Sequence, residues 1–176
     1  MTATPRRRYP RVASGQVRRE SGSSAVTRAA VYLHPGQMIA TRSPTAIKTI
    51  LGSCVAVCLW DEQRGIGGMN HFLLPYGSAR SEALGRFGNA AIPRLIEALH
   101  EHGAERSAMR AKVFGGGAMI TGATPGPTRI GQQNTRLALE LLELAGIPIV
   151  SSDLGGERGR KIVFHTDSGD VTLWDL

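Results

Sequence analysis

Apolar positions along this chain follow two periods. Ala30 to Leu33 is a short apolar run, predicted as a strand and broken by His34-Pro35-Gly36. Ile47 to Ile50 is a second short run, followed by a turn at Leu51-Gly52-Ser53. Val55-Ala56-Val57-Cys58-Leu59-Trp60 is apolar at every position, the pattern of a strand buried on both faces. Asp61 to Gly65 reads as a turn, and Gly67 to Leu74 as extended chain ending at Pro75-Tyr76-Gly77. Further strands are expected over Ala111–Phe114, Ile147–Ser151, Lys161–Phe164 and Val171–Trp174. The last two form a hairpin across Asp167-Ser168-Gly169, and Asp153 to Arg158 is a turn.

Helical spacing occurs twice. Ile92, Leu95, Ile96 and Leu99 predict a helix from about Ala90 to His102. Asn89 is its candidate N-cap, Pro93 is tolerable in a first turn, and Gly103 is the stop. Leu137, Leu141, Leu142 and Ala145 predict a second helix over about Gln132 to Ala145, ended by Gly146. Thr121 to Arg129, rich in Thr, Pro and Gly, reads as a loop. Many short strands with two principal helices point to an α+β fold of layered type.

Composition changes this picture at one end only. The whole chain carries +7, yet seven arginines and one glutamate before Val31 put +6 of it in the first 28 residues. The basicity therefore belongs to a tail and not to a nucleic-acid-binding face. Residues 1–29 are expected to be an arginine-rich, disordered arm, and 30–176 a single domain. A weak contact of that arm with acidic partners or lipid headgroups is the other reading. Hydrophobic residues make up 41% and charged residues 20%, ordinary globular usage for the body. No apolar run approaches the roughly 18 residues of a membrane span. Arg6-Arg7-Arg8 resembles the start of an export signal, but Val12 to Thr27 is polar and charged, so a cytoplasmic protein is expected.

The two cysteines, Cys54 and Cys58, are free thiols in a reducing compartment, so packing or chemistry must account for them. Cys58, inside the apolar strand, reads as core. Cys54 follows Gly52-Ser53 at the edge of a turn. A nucleophile needs that placement: an exposed side chain, a rigid backbone and free N–H groups for an oxyanion. A neighbouring imidazole is expected to lower its pKa from about 8.5. His71, in Gly67-Gly68-Met69-Asn70-His71-Phe72, lies on the next extended segment and returns toward Cys54. Gly67 and Gly68 allow close backbone approach. Asn70 is expected to face away from His71. Taken singly, each is better explained by packing or a surface position; their joint placement on neighbouring strands brings the functional reading level with it, and both readings stay open.

Thr49, just upstream, is a candidate orienting group or an ordinary strand threonine. A zinc site at Cys54, Cys58 and His71 lacks a fourth ligand and a knuckle spacing, so no metal is expected. Gly115-Gly116-Gly117 lacks the lysine and spacing of a P-loop; its glycines are expected to let backbone approach the site or a partner. Asp153 to Arg160 is read as hairpin punctuation in preference to a loop at the site's rim. His34, His100, His102 and His165 show no partner pattern and are expected at the surface.

Leu51 to Asp61 followed by Gly68-Met69-Asn70-His71-Phe72-Leu73-Leu74-Pro75 resembles the CheD family, the chemoreceptor glutamine deamidases. The likeness continues through Arg86-Phe87-Gly88, Ala111 to Gly116, Ile130-Gly131 with Asn134, Asp153-Leu154-Gly155-Gly156 and Gly159-Arg160-Lys161. It spans about Val31 to Trp174. The resemblance implies a layered α/β sandwich of mixed β-sheet, similar to bacterial toxin deamidases. It implies a protein-glutamine glutaminase with a Cys–His–Thr site on Cys54, His71 and Thr49. A thiolate–imidazolium pair is expected there, with backbone support for the oxyanion at Gly52 and Ser53 and no cofactor. The implied protein substrate is a methyl-accepting chemotaxis receptor, and a CheC-type phosphatase is an implied partner; nucleic acid and membrane insertion are not. A cysteine hydrolase acting on another protein's glutamine, or a non-catalytic receptor- or phosphatase-binding adaptor, remains the alternative.

Overall fold

The computed structural model describes residues 26–78, 84–118 and 126–176. Among them nine strands and two α-helices follow one another in this order: β1 (Ala29–Tyr32), β2 (Met38–Thr41), β3 (Thr45–Leu51), β4 (Val55–Asp61), β5 (Ile66–Phe72), α1 (Gly88–Glu101), β6 (Met109–Gly115), α2 (Gly126–Leu144), β7 (Ile149–Leu154), β8 (Arg160–His165) and β9 (Val171–Asp175). Four strands form one sheet in the order β1-β3-β8-β9, and five form another in the order β2-β5-β4-β6-β7. Each sheet is mixed, because β1 runs parallel to β3 and β7 parallel to β6.

β4 is the middle strand, and every residue of it is buried. Its alternate side chains serve two cores. Val55, Val57 and Leu59 join Ile92, Leu95 and Leu99 of α1 and Ala138 and Leu142 of α2. Ala56, Cys58 and Trp60 face the four-stranded sheet and pack with Ile47, Ile162 and Phe164. The layers are therefore helices, five-stranded sheet, four-stranded sheet, the α+β sandwich expected of this pattern. β3, with one face toward water, alternates instead: Thr45, Ile47, Thr49 and Leu51 point inward, while Lys48 and Ile50 are exposed.

The sheets approach closely where β5 carries glycine. A Cβ on Gly67 would lie 2.2 Å from the Thr166 carbonyl oxygen, which is backbone and cannot swing away.

The elements differ from the sequence expectation at several points. β2 carries no strand signal, being four half-buried residues at a sheet edge whose ladder is with β5. α1 begins at Gly88, with Phe87 in the cap position. Asn89 is thus not an N-cap; its side-chain amide instead bonds the N–H and the carbonyl of Gly77, at 3.1 and 3.2 Å. Pro93 then falls beyond the first turn, where its missing N–H leaves the Asn89 carbonyl without the usual helical donor. α2 starts at Gly126, so 126–129 of the expected loop are helical, and the rest of that loop lies outside the described residues. Pro127 is tolerated because first-turn N–H groups have no intrahelical acceptor. β7 extends to Leu154, because its parallel ladder with β6 continues to Gly115.

Most of the expected arm also lies outside the described residues. Its last members do not: Ala29 already pairs with Thr45, and Arg28 makes a two-pronged ion pair with Asp167 at 2.8 and 2.9 Å.

Gly67→Ala is expected to destabilise the fold by about 1–3 kcal/mol, because the added methyl must push backbone apart between two packed sheets. Urea unfolding measures it; an unchanged midpoint would show that the sheets separate at no cost.

Candidate active site

Gly52, Ser53 and Cys54 form the corner between β3 and β4, and all three carbonyls are held. The Gly117 N–H donates to Gly52 O at 2.8 Å and the Gly116 N–H to Cys54 O at 2.8 Å. The Asn134 side-chain amide of α2 donates to Ser53 O at 3.1 Å. This is the close approach expected of the glycine run. A Cβ on Gly115 would meet Cys54 O at 2.1 Å, and one on Gly116 would meet Thr135 Oγ1 at 2.1 Å. Clamping through carbonyls leaves the corner's N–H groups out of the clamp.

Cys54 is half-buried, and burial raises its thiol pKa, with its own backbone N–H pulling the other way. Cys58 is wholly buried between the sheets and its thiol is pushed far above the ordinary range, so it is core, as expected.

His71 sits in β5 opposite Ala56. Cys54, just before β4, packs with Ala56 against the cluster between the sheets, on the side of the five-stranded sheet that His71 also faces. The His71 backbone is fixed on its other edge: its N–H donates to Gln37 O at 3.0 Å, and its carbonyl accepts from Gly36 N at 2.7 Å.

The imidazole is buried and lies 2.9 Å from Thr49 Oγ1 through Nδ1. Thr49 reaches it from the other sheet, since β3 turns Thr49 inward and leaves Lys48 outside. The hydroxyl proton is given to Leu33 O at 2.8 Å. A hydroxyl has one proton, so toward His71 it acts as an acceptor and Nδ1 carries the hydrogen. The lone pair is thereby left on Nε2, which is buried and has no hydrogen-bond partner among the described residues.

Burial lowers the His71 pKa to about 4, against a smaller opposing effect of the Leu33 carbonyl. The expectation of a lowered Cys54 pKa and a resting thiolate–imidazolium pair is therefore corrected. Both groups are desolvated and no hydrogen bond joins them, so burial favours the neutral form of each.

Asn70 faces away from His71, as expected, on the helix side of the sheet opposite Val57, with Oδ1 accepting the Val57 N–H at 3.0 Å. The 153–160 loop is more than punctuation. Its Gly155 N–H donates to Gly115 O at 2.9 Å, and the buried Arg160 guanidinium bonds the carbonyls of Gly115, Asp153 and Gly155 and pairs with the Asp153 carboxylate. It backs the glycine run that holds the cysteine corner. His34 and His100 are exposed, whereas His102 and His165 are half-buried, the latter between the charges of Arg28 and Asp167.

Asn134 is the residue that site reasoning missed. The signal was an asparagine in a helix interior three positions before Leu137, on the buried stripe where a polar side chain is costly.

A family model described as "CheD chemotactic sensory transduction" matches residues 73–174. The chain is 51% identical over 149 residues to the probable chemoreceptor glutamine deamidase CheD 1 of Anaeromyxobacter dehalogenans, covering 85% of this chain and 86% of that protein. It is 44% identical over 142 residues to the corresponding protein of Sulfurimonas denitrificans, covering 81% and 91%. The value for that of Trichlorobacter lovleyi is 42% over 142 residues, covering 81% and 88%. The family model begins after His71, but a match of 149 residues within 176 cannot leave out the stretch from Thr49 to His71.

The depressed His71 pKa has a consequence for stability. The unfolded imidazole titrates near ~6.5 and the folded one at about 4, so between those values only the unfolded chain binds the proton. The contribution is complete above the unfolded pKa and falls as pH drops through that window, by roughly 3 kcal/mol in all. Urea unfolding at neutral and mildly acidic pH is expected to show a larger loss in wild type than in His71→Gln. Equal losses would mean that the buried imidazole is not the titrating group.

Proposed function

This chain belongs to the CheD family, and we propose that it hydrolyses glutamine side chains of methyl-accepting chemotaxis receptors to glutamate, with Cys54 as nucleophile, His71 as acid–base and Thr49 as the residue that orients the imidazole. What supports the roles is one observation above the rest: Thr49, committed to Leu33 O, fixes the His71 tautomer whose bare nitrogen is Nε2, on the sheet face that also carries Cys54.

The chemistry starts from neutral groups. As Sγ attacks the substrate's amide carbon, its proton passes to Nε2, and the carbonyl oxygen becomes an oxyanion. N–H groups of the Gly52-Ser53-Cys54 corner receive that charge, an effect of about 3–4 kcal/mol per donor in comparable sites. Protonated His71 is a strong acid in this dry setting and delivers its proton to the departing nitrogen, which leaves as ammonia. The thioester that remains is attacked by water, whose proton goes to Nε2 and then to the sulfur, releasing glutamate. The Thr49 hydroxyl accepts the Nδ1–H throughout, so the ring does not flip between the two half-reactions. Each step balances without a metal or organic cofactor.

A carboxylate replaces an amide on the receptor, which creates a methylation site. Family membership also supports a CheC-type phosphatase as a regulatory partner and the cytoplasm as the place of action. Among the described residues no helix is long and apolar enough to cross a membrane.

Mass spectrometry of receptor cytoplasmic fragments, with ammonia release, tests the reading. Wild type is expected to convert specific glutamines, and Cys54→Ala to convert none. His71→Gln is expected to lower kcat by about 10²–10⁴-fold. Thr49→Val, which removes one buried hydrogen bond, should cost roughly tenfold. Conversion that persists in Cys54→Ala would overturn the mechanism; a wild type silent on receptors but active on another protein's glutamine would overturn the substrate.

A further inference from the structure

Asn134 reaches the site from the helix layer and touches both halves of it. Its side-chain Nδ2 donates at 3.1 Å to the carbonyl of Ser53, the residue before Cys54. The same Nδ2 donates at 2.8 Å to the carbonyl of Leu73, two residues after His71. Two acceptors on one nitrogen identify it as the NH₂ end of the amide, so the orientation is not in doubt. The residue is fully buried, and its Oδ1 has no partner among the described residues. A leucine would suit this position in a helix interior far better by propensity and by burial. The retained asparagine is explained by its two donated bonds and not by its packing.

The need for such a link follows from the topology. The Cys54 corner lies before β4 begins, and Leu73 lies after β5 ends, so the β4–β5 ladder, which closes at Val55 and Phe72, reaches neither. Other bonds hold each segment separately: the glycine run holds the corner, and Arg86 O accepts the Leu73 N–H at 2.9 Å. Asn134 bridges the two. A rotation of the corner relative to β5 would move Sγ away from Nε2 while leaving the fold intact.

We infer that Asn134 is a positioning residue that holds the Cys54 corner in register with His71, so that Nε2 lies within reach of the thiol proton when an electrophile arrives. This rests on the Cys54–His71 reading above. The role is geometric: Asn134 acts on the reaction through two backbone carbonyls and touches no reacting atom in this scheme.

A double-mutant cycle on thiol reactivity separates positioning from plain stability, because it needs no receptor substrate. The rate of Cys54 alkylation by iodoacetamide at neutral pH is measured in wild type, His71→Gln, Asn134→Leu and the double variant, each shown folded by circular dichroism. In wild type, loss of His71 is expected to slow alkylation, because Nε2 takes the thiol proton as sulfur attacks the reagent. In the Asn134→Leu background, loss of His71 is expected to change it little, since the imidazole no longer reaches the thiol. Deamidation should agree, with kcat falling by up to about a hundredfold for a displacement near 1 Å while KM stays close to wild type. Should Asn134→Leu not fold, Asn134→Ala, which leaves space for water to bond the two carbonyls, takes its place in the cycle. A His71 effect of the same size in both backgrounds would overturn the positioning role and leave the Cys–His reading standing. An absent His71 effect in wild type itself would overturn both.

Discussion

The hydrogen bond between Thr49 and His71 ties this molecule's chemistry to its architecture. It crosses from the four-stranded sheet to the five-stranded one, inside a layer otherwise filled by Ile47, Phe164, Met69 and Phe114. A buried polar pair in such a layer is costly wherever one of its bonds is missing. Thr49 completes its own by donating to Leu33, and the imidazole then has one hydrogen placed and one nitrogen left over. The unsatisfied Nε2 is the single costly atom of the arrangement, and it is the atom the proposed reaction uses. Sheet packing thus decides the tautomer, and the tautomer decides which nitrogen is basic.

The cysteine side is built differently. No side chain activates the thiol at rest; burial raises its pKa as it lowers that of the imidazole. What is prepared in advance is the backbone, with the carbonyls of Gly52, Ser53 and Cys54 engaged by Gly117, Asn134 and Gly116. Preorganised backbone of this kind requires no rearrangement as charge develops, which is why it suits an oxyanion better than a mobile side chain does.

Much of this could be read from residue order. The continuous apolar run of β4 announced a strand buried on both faces, and the alternation around Thr49 already held the answer to which of Lys48 and Thr49 points inward. Cys54 and His71 were legible because a short turn joins their strands. What escaped has physical reasons. β2 is four residues at a sheet edge, too short to carry a period. Asn89 looked like a cap because caps and loop anchors use the same side-chain amide. Asn134 lies about 80 positions from Cys54, and only the docking of α2 on the five-stranded sheet brings them together. The protonation state was misjudged for a similar reason: proximity of Cys and His suggests an ion pair, but whether one forms depends on how much water the fold removes, and spacing does not encode that.

The proposed chemistry depends on the tautomer of His71, and nitrogen NMR of the uniformly ¹⁵N-labelled protein at neutral pH reads it directly. A neutral ring is expected, with a protonated, pyrrole-like Nδ1 and a bare, pyridine-like Nε2, and with that preference weakened in Thr49→Val. A proton found on Nε2, or on both nitrogens, in the resting wild type would contradict it.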